Sequence, residues 1–221
     1  MRAAPRFITF EGGEGAGKST QIALLEESFA DAGIPVLRTR EPGGSQGAEL
    51  IRTLVVEGDV DAWHPTTEAL LFMTARYDHL QTHILPALAR GEWVLCDRFF
   101  DSTFVYQGIA KGVGEAWLRQ LYAHLYGNTG PDFSVFLDIA PKEGLARAKS
   151  RGGSEARFEA MGESYHENVR AGFHACVTHE PERWAVLDAS QSVSALHAEV
   201  LQAMNTRYGL ALEAAKGVSA A

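Results

Sequence analysis

Residues Gly12-Gly13-Glu14-Gly15-Ala16-Gly17-Lys18-Ser19 fit the pattern G-x-x-x-x-G-K-[ST]. Glycines at this spacing let the backbone curl until several N–H groups point inward, which suits an anion. The segment follows an apolar run, Arg6-Phe7-Ile8-Thr9-Phe10, and leads through Thr20 into helical spacing. A helix N-terminus there adds a partial positive charge. Such a loop holds nucleoside triphosphate, with Lys18 reaching the outer phosphates and the Ser19 hydroxyl ligating Mg²⁺. Glu14 breaks the pattern, because a carboxylate among phosphate-binding amides would repel the ligand. It is expected to turn away and accept hydrogen bonds from a neutral donor such as a sugar hydroxyl, or else to be an exposed side chain at a tolerant position.

A second set of residues suits a smaller anion. Arg40 lies within Thr39-Arg40-Glu41-Pro42-Gly43-Gly44, Arg52 and Arg76 follow in helix-like segments, and Asp97-Arg98 closes an apolar run. Phe72 and Arg76 are four apart and share a helix face. The ring is either core or a stacking surface for a base whose edge the guanidinium bonds. Ser102 and Tyr106 share a face in the same way, with Gln107 adjacent and able both to donate and to accept. Asp97 is placed to hold Mg²⁺ or its waters, or to cap the next helix. Arg147 and Arg151 are four apart, before Gly152-Gly153 and Arg157. They form either a mobile lid over about 147–159 that brings positive charge to the reacting phosphates and excludes water, or a solvated surface helix.

The elements that must position these groups are legible as apolar runs. Strands are expected at 6–10, 35–39, 92–96, 133–137 and 184–187, each followed by helix-forming sequence. That alternation predicts an α/β fold with a doubly wound, five-stranded parallel sheet, whose ligands bind beyond the carboxyl ends of the strands. The helical stretch 66–90 contains Pro86, so a kink or break is expected near it. No linker or repeat divides the chain, which reads as a single domain. The tail after about Leu210 is expected to be frayed helix or disordered.

The 221 residues carry 20 basic and 28 acidic side chains, a net charge of −8. That balance argues against a broad nucleic-acid surface. No segment reaches the roughly 20 apolar residues of a membrane span, and the N-terminus lacks the apolar stretch of a secretory signal. Cys96 and Cys176 have no metal-ligand spacing, and a cytoplasmic protein with two ordinary thiols is expected.

Taken together these segments resemble thymidylate kinases of the bacterial kind, from about Phe7 to Tyr208. The marks are Phe10-Glu11-Gly12 leading into the phosphate loop with Glu14; Thr39 to Gly44; Phe72 with Arg76; Asp97-Arg98 with Ser102, Tyr106 and Gln107; and Phe136-Leu137-Asp138. The resemblance implies a P-loop NTPase fold and ATP-dependent phosphorylation of dTMP with Mg²⁺, usually by a homodimer. It implies that Arg52 and Arg98 hold the dTMP phosphate, Phe72 stacks on thymine and Arg76 bonds its edge. It also implies that Glu14 meets the 3′-hydroxyl and Tyr106 packs at the sugar 2′ position. Ser102, Gln107, Glu41 and Pro42 are nearby, and Arg147 contacts adenine. The family places its catalytic arginine either in the phosphate loop or in the lid; Ala16 in the loop and the basic lid resemble the second pattern. Ala156 stands where an acidic residue is common, and both Arg151 and Arg157 remain as the transition-state contact.

The rivals are a kinase for another nucleotide, a deoxynucleoside kinase with Glu11 as base for a neutral hydroxyl, and a nucleotide-dependent switch. The surplus of arginines disfavours the deoxynucleoside kinase. The switch reading lacks support, since the chain has no Asn-Lys-x-Asp and no D-x-x-G.

Overall fold

Strand residues alternate between the two faces of a sheet, and the apolar runs here are apolar on both. In the computed structural model, which describes residues 4–127, 129–151 and 156–214, they form five parallel strands: β1 Phe7–Glu11, β2 Val36–Arg40, β3 Trp93–Asp97, β4 Phe133–Asp138 and β5 Trp184–Asp188. The order across the sheet is β2-β3-β1-β4-β5. Each strand lies within about a residue of its expected place, as the α/β reading required.

Alternation sends Ile8, Phe10, Leu95, Val135 and Leu137 to one face, where α1 (Lys18–Asp31) and α10 (Val193–Tyr208) cover them with Ile22, Leu25, Phe29, Val200 and Met204. Phe7, Val94, Cys96 and Phe136 point to the other face, against residues of α3 (Pro65–His79), α6 (Glu115–Tyr126) and α9 (Glu163–His179). Each fully buried large side chain contributes about 1.5–3 kcal/mol. Both thiols are buried, and burial pushes them up from their ordinary range.

Helix α2 (Gln46–Val56) starts where Ser45 Oγ accepts from Ala48 N–H at 3.2 Å. Of the kink or break expected near Pro86, a break occurs just before it: α3 runs into a π-helical turn, Leu80–Ile84, and then α4 (Leu85–Ala89). The π turn widens the ladder where proline lacks its N–H. A second π-helical turn, Phe104–Ala110, follows α5 (Phe100–Thr103). The span 147–159 expected as a lid takes in the end of α7 (Pro141–Arg151) and α8 (Ala156–Glu159). Residues 152–155, the side chains of Arg151 and Ala156, and the tail from 215 lie outside the described residues.

Candidate active site

Strand β1 lies between β3 and β4, so the loop after it opens at the centre of the sheet's carboxyl edge. Two glycines there cannot be replaced freely. Gly12 has φ 138°, and a Cβ on it would stand 2.6 Å from Leu137 O. Gly15 has φ 69° and lies so close to Gly144 of α7 that a Cβ would overlap the Gly144 carbonyl. The loop is therefore wedged between β4 and α7, and it delivers Lys18 and Ser19 at the start of α1.

Lys18 Nζ donates to Gly12 O at 3.0 Å and Gly13 O at 2.8 Å, which holds the ammonium at the loop. Ser19 Oγ donates to Asp97 Oδ2 at 2.6 Å. The phosphate loop and the end of β3 thus bring together two hard oxygens of the kind Mg²⁺ takes, and these residues fit the metal.

Arg40 pairs with Glu49 at the surface at 3.0 Å; the other residues expected on the acceptor side, Arg52 excepted, line one pocket: Glu14, Glu41, Pro42, Phe72, Arg76, Arg98, Ser102, Tyr106 and Gln107. Its empty volume is about 440 Å³. Arg52 touches it through Pro42, donating Nη1 to the Pro42 carbonyl at 2.7 Å. Phe72, open between core and ligand in the sequence, is both: it packs in the core and presents itself to the pocket. Val56, Thr103 and Phe158 complete the lining and were not anticipated. Phe158 meets Phe72 edge-on at 6.1 Å and Tyr106 at 6.0 Å.

Arg98 has φ 72°, a left-handed conformation that side chains other than glycine adopt rarely. The turn throws its guanidinium back over the phosphate loop, where it bonds Gly12 O at 2.9 Å and Ser102 Oγ at 3.2 Å. It also reaches Glu14 Oε1 at 3.3 Å and lies 4.9 Å from the Tyr106 ring centroid.

Glu14 does turn inward, away from solvent, and its neutral donor within the protein is Tyr106, whose hydroxyl donates at 2.9 Å. His166 of α9, with no signal in the sequence, stands 3.4 Å from its other oxygen. Burial works against the charge on Glu14, but the His166 hydrogen bond and the charges of Arg98 and Lys18 outweigh it and hold the carboxyl down at about 2. This lies below the ordinary 4.5, so the stability it contributes is present above pH 4.5 and lost as pH falls through 2. Glu14→Gln is expected to flatten that acid limb, read as Tm between about pH 5 and pH 3.

Arg76 is almost fully buried, and three of its donors are fixed: Nε to Glu41 Oε2 at 2.6 Å, Nη1 to Thr103 Oγ1 at 2.9 Å and Nη2 to Phe99 O at 3.0 Å. His79 Nδ1 lies 3.0 Å from the other Glu41 oxygen. Glu11 has no exposure, and its oxygens accept from Phe99 N–H at 2.8 Å and Ser102 Oγ at 2.6 Å. Burial and the Asp101 charge push it well above the usual carboxylate range. It is a poorly placed and weakly ionised base for a neutral hydroxyl.

The lid arginines separate. Arg147 bonds Ala189 O at 2.7 Å, Ser190 O at 3.2 Å and Glu143 at 2.6 Å, beside the loop after β5. Arg157, expected to be free to reach the phosphates, is instead buried. It donates to Val55 O and Asp59 O at 2.8 Å, to Val60 O at 3.0 Å, and pairs with Glu68 at 2.5 Å. The sequence shows a cation after a glycine pair and cannot show that three carbonyls at the end of α2 and just beyond it wait for it. Arg157→Ala is expected to cost about 2–3 kcal/mol of stability. Arg151→Ala is expected to lower kcat, so kinetics and melting of the two variants tell anchor from catalytic contact.

A phosphate loop at the switch point of a parallel sheet, facing a second pocket with a convergent arginine set, defines a P-loop kinase whose acceptor is itself anionic. The family model described as Thymidylate kinase matches residues 10–200. The thymidylate kinase of Magnetococcus marinus is 49% identical over 203 residues, covering 92% of this chain and 97% of that one. That of Caulobacter vibrioides is 48% identical over 204 residues, covering 92% and 98%. The crystal structure of thymidylate kinase from Ehrlichia chaffeensis superposes with a TM-score of 0.74 at 29% identity, covering 91% of this chain and 99% of that one. The chain belongs to the thymidylate kinase family.

Proposed function

We propose that the protein transfers the γ-phosphoryl group of ATP to dTMP, giving dTDP and ADP. The observation that carries this reading is the single pocket between the phosphate loop and α3, in which Arg76, Arg98, Phe72, Tyr106 and Glu14 converge. One phosphate oxygen of dTMP attacks the γ-phosphorus in line while the bond to the β-phosphate oxygen breaks. That oxygen is ionised at neutral pH, so no general base is needed, and catalysis is positioning plus charge neutralisation.

Lys18 holds the outer phosphates of ATP over the loop amides. Arg98, reaching from β3 across to Gly12, is placed between loop and acceptor pocket and orients the acceptor phosphate, with Arg52 assisting from α2. Phe72 stacks on the base, Glu14 takes the 3′-hydroxyl, and Tyr106 packs against the sugar. Arg151 is the lid cation for the transition state and Arg147 lies beside adenine. Ser19 and Asp97 would hold Mg²⁺, which would neutralise phosphate charge.

Among the described residues no helix is long and apolar enough to cross a membrane, which fits a cytoplasmic enzyme. A homodimer is supported by apolar side chains left in solvent on α2 (Leu50, Leu54) and α3 (Leu70, Tyr77), helices that pack on each other. Label from γ-labelled ATP is expected in dTDP. Label released only as inorganic phosphate, with or without dTMP, would point to a switch or hydrolase instead.

A further inference from the structure

An amide side chain can be read in two directions, since one end donates and the other accepts. At Gln107 the surroundings decide. Glu68 on α3 is fully buried: its Oε1 accepts from Gln107 Nε2 at 2.9 Å, and its Oε2 accepts from Lys111 Nζ at 2.8 Å and meets Arg157 Nη2 at 2.5 Å. A carboxylate between two cations only accepts, so the end of Gln107 that faces it is the NH₂ group. The Gln107 carbonyl oxygen has no hydrogen-bond partner among the described residues, and the side chain lines the acceptor pocket. Arg76 lines the same pocket and carries donors alone. Gln107 therefore gives the pocket a fixed acceptor and Arg76 a fixed donor.

We infer that Glu68 is a positioning residue for base selection: by fixing the Gln107 amide, it makes the pocket accept a 2,4-dioxopyrimidine and reject a 4-aminopyrimidine. A dioxopyrimidine presents a ring N–H beside a carbonyl, which pair with the Gln107 oxygen and an Arg76 N–H. A 4-aminopyrimidine presents an acceptor nitrogen beside an amino donor. It sets acceptor against acceptor and donor against donor in a buried site, where unpaired polar groups are costly. Two further elements are tied to this selection, because Lys111 follows the second π-helical turn and Arg157 belongs to α8. Glu68 has no means of telling thymine from uracil, since both show the same edge.

The inference deepens the proposed function and rests on the dTMP reading of this pocket. Its test compares kcat/KM for dTMP, dUMP and dCMP in the wild type and in Glu68→Gln. A glutamine at 68 can donate or accept, so Gln107 is no longer held in one direction. The dTMP:dCMP preference is expected to fall about tenfold or more, while the dTMP:dUMP preference stays as it was. An unchanged dTMP:dCMP ratio, or a parallel fall in both ratios, overturns the inference. A wild type that does not phosphorylate dTMP refutes the function itself, which is a separate result. Should Glu68→Gln fail to fold with Lys111 and Arg157 unpaired, neutron diffraction from the wild-type protein reads the amide directly. Deuterium is expected on the Gln107 atom facing Glu68; deuterium on the atom facing the pocket overturns the assignment.

Discussion

Lys18→Ala is expected to lower kcat by about 10²–10³-fold, the usual loss when one preorganised donor to developing charge is removed. The side chain is the first of α1, largely buried, and held by the Gly12 and Gly13 carbonyls. Its charge is thus in place without reorganisation. The glycine backbone, which shapes the loop, is untouched by the substitution, so the fold should persist. Steady-state rates at saturating ATP and dTMP, with circular dichroism as the control, check this. Near-normal turnover in a folded variant would sink the assignment of the loop as the donor site.

Glu41→Ala is expected to destabilise the protein by about 3–5 kcal/mol, as removal of one partner of a buried ion pair does. Burial disfavours the Arg76 charge and the Glu41 carboxylate is the largest influence offsetting it, so without Glu41 a guanidinium that stays charged would be left buried with its main partner gone. His79 would lose its Nδ1 contact in the same step. The chain Thr39–His79–Glu41–Arg76 joins β2 to α3, with Thr39 Oγ1 2.7 Å from His79 Nε2. Its loss should also raise the KM for dTMP, because Arg76 would no longer be oriented. Urea unfolding measures the first effect, and a loss below about 1 kcal/mol contradicts the account.

The sheet was legible because each strand is a short apolar run bounded by turn residues, and burial on both faces requires such runs. The phosphate loop was legible because its chemistry depends on backbone and needs glycines in fixed places. Glu68 is legible only in part: with Phe72 and Arg76 it completes a four-residue spacing on one face of α3, but it does not line the pocket and meets it only through Gln107. Phe158 and His166 left none, since their partners lie on elements far away in sequence and only packing brings them to Tyr106 and Glu14. Arg157 shows the opposite limit. A basic residue near glycines reads as a mobile cation, whereas its geometry is that of a staple between α8 and the segment after α2. Charge can be counted in a sequence, but the desolvation and pairing that fix its role cannot.

The most direct test of the acceptor reading is ADP release from ATP, coupled to a spectroscopic signal, across a panel of dTMP, dUMP, dCMP and AMP. The account predicts turnover that depends on an added monophosphate and is well above the others with dTMP. ATP turnover indifferent to the monophosphate, or greatest with AMP, would contradict it.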